Sequence, residues 1–306
     1  MSADPQSLDT LIEEYKEHQR RTRGLRERTL RGYEQMVRLF VRSALGDDPI
    51  DPGRLCSADV VGFVSAVRGR FSPRSMKAVR TALRSFFRFL RVAGLSEEHL
   101  EAALPAVAHW RLSSLPYALT DEQLGRVLAS LDGPGPCRRR GRAIVTCLAT
   151  LGLRPGEVAD LRLEDLDWRG GKVTLQTRKT RVGTVVPLPR EAGRAIVAYL
   201  REERPETDGR SVFVQHPGAR RGQPLSSSAV SAVVARSLWR ACVEAPIAGA
   251  YVFRHTVASR LVGAGASLKE VADFLGHRSL DTTAIYAKLD IAALREVALP
   301  WPEVVR

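Results

Sequence analysis

Between Ser72 and Gly94 the chain spells out a helix that needs two different neighbours at once. Ser72 suits a helix cap, Pro73 the first helical position, and Gly94 the stop. Val79, Leu83, Phe86, Phe87 and Leu90 recur at helical spacing and mark one face for burial. Arg74, Lys77, Arg80, Arg84, Arg88 and Arg91 occupy other positions, and no Asp or Glu lies among them. Like charges three and four residues apart repel, so this face is costly unless a polyanion neutralises it. The segment therefore predicts a helical domain that packs on one side of this helix. On the other side Arg74, Lys77, Arg80, Arg84 and Arg88 are expected to meet the phosphates of a polyanion such as DNA.

The surroundings fit that expectation. From Tyr15 to Arg91 there are 18 Lys and Arg against seven Asp and Glu. Helical patterns cover Ser7 to Arg20, Arg26 to Ala44 and Ser57 to Val67, the last with Ser57 as its expected cap. The whole chain of 306 residues carries a formal charge of +13 and a pI near 10.2. Only six of its 47 cationic residues are Lys, and Arg binds phosphate in bidentate fashion. Apolar residues make up 44%, enough for a core, and the length fits two domains. The longest apolar stretch, near Ala143 to Leu153, is well short of the roughly 20 residues that span a bilayer. The N-terminus lacks the pattern of a signal peptide. Cys56, Cys137, Cys147 and Cys242 show no metal-ligand spacing and read as buried thiols of a reducing compartment. No metal and no cofactor are expected. The expected location is the cytoplasm, in association with the nucleoid, and no membrane partner is expected.

The prolines at Pro105 and Pro116 bound a stretch of little periodicity. The expected organisation is a helical domain over 1–104, a linker over 105–116 and a second domain over 117–306. In the second, Thr120 and Gln123 form a capping box, as do Ser267 and Glu270. Helices are expected over Arg140–Leu151, Glu191–Arg204, Ser226–Val243, Val252–Gly263, Ser267–Gly276, Leu280–Leu289 and Ile291–Leu299. Lys172 to Leu188 alternates on both sides of a polar turn and predicts a β-hairpin. Arg138 to Arg140 reads as a basic loop able to touch phosphate.

Four short strings stand in this half. Gly152 to Glu157 holds Arg154 between a helix and Pro155. Thr177 to Thr180 holds Lys179 at the hairpin turn, ahead of Val186, Pro187 and Leu188. Tyr251 to Thr256 holds Arg254 and His255. Leu275, Gly276 and His277 are followed nine residues later by Tyr286. Each alone is weak, since an Arg at a helix end or a Tyr on an apolar helix is ordinarily structural.

Taken in order, they resemble the tyrosine recombinases, the family of phage integrases and the Xer and Cre recombinases. The resemblance covers essentially the whole chain. It implies a mainly α fold with a small β-hairpin, in which a helical, SAM-like core-binding domain precedes the catalytic domain. Arg154 matches the first catalytic Arg, in a Gly-Leu-Arg-x-x-Glu string. Lys179 matches the Lys of the hairpin, Arg254 the Arg of His-x-x-Arg-His, and His277 and Tyr286 the His and the nucleophile. The family's first His is replaced by Tyr251, which puts proton transfer from the nucleophile in question. His255 belongs to the motif in its own right.

The resemblance implies a site-specific recombinase that needs neither metal nor ATP. Charge builds on the non-bridging oxygens of a phosphodiester under attack, and Arg154 and Arg254 suit a clamp on them. Tyr286 would form a 3′-phosphotyrosyl link, Lys179 would protonate the leaving 5′-oxygen, and His277 would add a donor. Four protomers would close on paired duplex sites and exchange strands through a Holliday junction, with or without a second recombinase. The C-terminal segment, with Ile291, Leu294, Val297 and Leu299, would dock on a neighbour. A mobile element is the expected setting. Two alternatives stay open: a type IB topoisomerase-like activity, and an accessory DNA-binding protein in which Tyr251 marks weakened catalysis.

Overall fold

The computed structural model describes residues 7–46, 49–71, 73–106, 116–133, 135–175, 184–216, 218–245, 249–276 and 283–289. The chain divides into two compact units, Met1–Arg111 and Leu112–Arg306.

The first unit is helical. Helix α1 (Leu8–Arg23) starts where the Ser7 hydroxyl accepts the Thr10 N–H, and stops at Gly24 in the left-handed region. Helix α2 spans Glu27–Leu45, α3 Ser57–Val67 and α4 Pro73–Val92. The cap of α3 falls one residue earlier than its pattern predicts. Cys56 stands at the cap, and the Asp59 carboxylate accepts its backbone N–H at 2.9 Å. The buried face of α4 holds Val79, Leu83, Phe86, Phe87 and Leu90, as its spacing predicts. Aromatic edges lock it in place: Tyr15 meets Phe86 at 5.4 Å between ring centroids, and Phe40 meets Phe87 at 5.3 Å. The Tyr15 hydroxyl is not left dry, because Ser85 bonds it at 2.8 Å. Ser72 and the side chain of Arg74 lie outside the described residues.

The second unit is built around α6 (Arg138–Leu151), buried from Ala143 to Ala149 and again at Leu151. Helices α5 (Asp121–Ala129), α8 (Arg190–Glu202), α9 (Ser227–Arg240) and α10 (Tyr251–Gly263) pack against it. Both capping boxes form, Thr120 with Gln123 on α5 and Ser267 with Glu270 on α11 (Leu268–Leu275). The hairpin exists, and a further strand joins it. β1 (Leu166–Asp167), β2 (Lys172–Leu175) and β3 (Thr184–Pro187) form an antiparallel sheet in that order. Leu175 pairs with Thr184 at one end of the β2–β3 ladder, and residues 176–183 lie outside the described residues. The expected helix over Leu280–Leu289 is, where described, a 3₁₀ turn over Ala284–Leu289. Residues 107–115, most of the expected linker, and 290–306, with the expected last helix, lie outside the described residues.

Two smaller expectations are corrected. All four cysteines are free, but only Cys147 is buried and Cys242 is exposed. Arg138 to Arg140 form the first turn of α6 rather than a loop, and their groups are used internally. Arg138 bonds the Ser130 carbonyl, Arg139 pairs with Glu202, and the buried Arg140 donates to the Val214 carbonyl at 2.7 Å. No helix among the described residues is long and apolar enough to cross a membrane.

Candidate active site

The site begins at the end of α6. Gly152 takes φ +60°, which turns the chain out of the helix, and an added Cβ there would lie 2.7 Å from Leu275 Cδ2. Only glycine meets both conditions without strain. The chain then enters a short helix not evident in the sequence pattern, α7 (Pro155–Asp160), with Arg154 as its cap. Glu157 closes that turn on itself. It accepts the Arg154 backbone N–H at 2.7 Å and the Arg154 Nη1 at 2.6 Å. Arg154 Nη2 reaches across to the Gly276 carbonyl at 3.0 Å, and the side chain remains 34% exposed.

Arg254 stands in the first turn of α10 and is 5% exposed. Its Nη1 donates to the Gly152 carbonyl at 2.7 Å, and its Nη2 to the Leu275 carbonyl. One guanidinium thus joins the end of α6 to the end of α11. Among the described residues no carboxylate lies within ion-pair distance of it. Burial, and then the like charge of Arg154, bring its pKa down to about 10. The Glu157 carboxylate opposes that shift without touching the Arg254 guanidinium, and a buried cation next to a second cation is a place where an anion is stabilised.

Tyr286 lies in the Ala284–Leu289 turn, 2% exposed, in a small apolar cluster with Val257, Ala258, Val262, Val271 and Leu275. Burial pushes its hydroxyl pKa up to about 12, and Arg254 pulls against that shift. The hydroxyl bonds His255 Nδ1 at 2.8 Å. His255 follows Arg254 on α10 and sits one turn beyond Tyr251, on the same face. Tyr251 itself opens α10 and is 49% exposed, and its hydroxyl makes no hydrogen bond among the described residues.

Arg154, Arg254 and Tyr286 are thus brought together, and Glu157 and His255 join them. Glu157 was legible as part of the Arg154 string, but its carboxylate holding that guanidinium was not. His255 is four residues from Tyr251, a spacing that places both on one helix face, but its bond to Tyr286 depends on where the 3₁₀ turn lands. His277 and Lys179 lie outside the described residues. In the other unit, Lys77 and Arg88 are exposed on α4, Arg80 and Arg84 are half-buried, and none of the four has an ion-pair partner among the described residues. No group of three or more His, Cys, Asp or Glu among the described residues could hold a metal ion.

Comparison with known proteins gives a consistent result. The phage integrase family model matches residues 118–292, and the N-terminal SAM-like domain of phage integrases matches residues 12–94. A provisionally named integrase/recombinase of Sinorhizobium fredii, y4rA, is 40% identical over 98% of this chain and 72% of its own. The tyrosine recombinase XerA of Thermococcus kodakarensis is 31% identical over 89% of each chain. Among solved structures, a lambda integrase tetramer bound to a Holliday junction superposes with a TM-score of 0.69 at 17% identity, over 99% of this chain and 81% of that one.

Proposed function

The chain belongs to the phage integrase family of tyrosine recombinases, enzymes of site-specific DNA recombination, and from that premise we propose how it works. It cleaves and rejoins duplex DNA through a 3′-phosphotyrosyl link to Tyr286. The observation that supports this most is that Arg154 and Arg254 are held on the carbonyls of Gly152, Leu275 and Gly276, with Tyr286 in the same cluster as Leu275 and within the field of Arg254.

A phosphodiester entering this site brings a counter-ion into contact with Arg254. Both guanidiniums are already oriented by backbone carbonyls, so little reorganisation is needed as charge builds on the non-bridging oxygens. Of the five N–H donors of Arg254, two are committed to carbonyls, which leaves others for phosphate. Tyr286 attacks phosphorus, the bond to the 5′-oxygen breaks, and Lys179 on the hairpin protonates that oxygen. His277, which follows the carbonyl that Arg154 holds, adds a donor to the phosphate. The covalent link conserves the energy of the broken bond, so rejoining needs no nucleotide. No metal is called upon, because the two arginines supply the positive charge. Lys77, Arg80, Arg84 and Arg88, with Arg74, hold the duplex. Two duplex sites and four protomers exchange strands through a Holliday junction, for a mobile element.

The test is covalent trapping. Protein is incubated with nicked suicide duplexes tiled across the DNA flanking its own gene, then run on a denaturing gel. A shifted band that is lost in Tyr286→Phe is expected. Specific binding with no band would leave an accessory DNA-binding protein instead.

A further inference from the structure

The family's first His is absent here, and Tyr251 in its place offers a half-exposed phenol, a group that is a poor proton acceptor near neutral pH. The hydroxyl of Tyr286 nevertheless has a partner that accepts its proton in the tautomer that leaves His255 Nδ1 bare. His255 Nδ1 lies 2.8 Å from it, within the range required of a general base, and the two rings are 5.6 Å apart. We propose that His255 is the catalytic base of this enzyme, taking the proton of Tyr286 from a position one helical turn beyond the one the family uses. This rests on the assignment of Tyr286 as nucleophile.

The need for a base is acute in this chain. With its hydroxyl pKa pushed up to about 12 by burial, Tyr286 would exist as phenolate in only about one molecule in 10⁵ at pH 7. Arg254 favours the phenolate electrostatically but is itself buried and accepts no proton. The exchange balances simply. The Tyr286 O–H bond breaks and its proton passes to Nδ1 of a neutral His255. The phenolic oxygen forms the bond to phosphorus, the bond to the 5′-oxygen breaks, and that oxygen takes a proton from Lys179. On rejoining, each proton returns. Helix geometry explains why the substitution at Tyr251 is tolerated: positions four apart on α10 face the same way, so an imidazole lost at one remains available at the next.

The experiment measures single-turnover formation of the phosphotyrosyl band with full-length protein on its suicide duplex. Two duplexes are used, one normal and one with sulfur in place of the bridging 5′-oxygen. A thiolate leaves without a proton, so the sulfur substrate bypasses the acid but not the base. His255→Gln keeps an acceptor for the Tyr286 hydroxyl but cannot carry its proton. Its rate is expected to fall about 10²–10⁴-fold on both substrates. Lys179→Ala is expected to recover on the sulfur substrate only. Adding Tyr251→His to His255→Gln is expected to restore at least tenfold. Cleavage by His255→Gln at the parental rate or faster would overturn the proposal, the faster rate because it would make the bond a restraint on Tyr286. So would recovery of His255→Gln on the sulfur substrate. If His255→Gln fails to fold, as judged by its melting transition, Tyr251→His alone decides. A gain below about threefold supports His255 as the working base, and a gain of tenfold or more overturns it. Absence of the Tyr286-dependent band in the parent protein would instead defeat the recombinase assignment itself.

Discussion

Burying a guanidinium without a carboxylate is costly, and Arg254 shows what offsets that cost. Its two carbonyl partners belong to residues that end separate helices, Gly152 after α6 and Leu275 at the end of α11. Removing the donor leaves both acceptors dry. Arg254→Gln is expected to lower stability by about 1–3 kcal/mol for each carbonyl left without a donor, read from denaturant melts, and to abolish the covalent band. An effect on cleavage with unchanged stability would show that the carbonyl bonds are dispensable. Tyr286 makes a second prediction, in pH. Its folded pKa, about 12, lies above the unfolded value near 10. The folded state therefore holds this proton after the unfolded chain has lost it, and stability falls as pH rises from about 10 towards 12. Below pH 10 the group contributes no slope. Tyr286→Phe removes this share, at most about 3 kcal/mol, so the mutant should lose less stability than the parent across that window. Equal losses would place the Tyr286 hydroxyl in contact with water.

At the level of elements, the turn from α6 into α7 fixes the distance between the two arginines. Gly152→Ala meets two obstacles, a left-handed φ and the contact with Leu275. A loss of about 1–3 kcal/mol is expected, and Leu275→Ala in the same chain should relieve the contact without relieving the φ. Full recovery in thermal melts would mean that the backbone conformation costs nothing. This turn also marks how far the sequence could be read. Long helices with an apolar stripe and a cap, such as α4 and α5, are legible because periodicity and capping repeat the same message. Helix α7 has six residues, too few for a period, and is held by the Glu157 carboxylate and by burial of Pro155, Val158 and Ala159. β1 has two residues and exists only because β2 offers an edge at Val173 and Lys172. The 3₁₀ turn that carries Tyr286 has the apolar spacing of an α-helix, and packing against Val257 and Leu275 decides otherwise. Motif order singled out Arg154, Arg254 and Tyr286, which the fold places near one another. The bond to His255 was not, because it joins residues 31 apart through that turn.

Across the molecule, the charge of +13 is unevenly spent. In the first unit most acids of α1 and α2 are taken up locally. Glu13 and Glu17 pair with Lys16 and Arg20, and Asp9 and Glu34 pair with Arg38. On α4 the end is partly answered, since Arg91 meets Glu101 at 3.3 Å. Lys77, Arg80, Arg84 and Arg88 find no such partner among the described residues, so α4 carries a run of uncompensated cations, beside others such as Arg31 and Arg42 elsewhere in the unit. Sequence arithmetic located the excess correctly, but only the pairing shows which cations remain uncompensated. These cations make no ion pairs among the described residues, and Lys77 and Arg88 are exposed, so replacing those two should leave stability unchanged and act on DNA alone. Each phosphate contact releases about one counter-ion, which sets the slope of log affinity against log salt. The double variant Lys77→Gln, Arg88→Gln should therefore bind every duplex more weakly at low salt, with a slope shallower by about two. The difference from the parent protein should shrink as salt rises. Titrations of one duplex across a range of salt concentrations measure this directly. An unchanged slope would mean that the face of α4 does not meet phosphate and that the charge serves only to repel other copies of the protein.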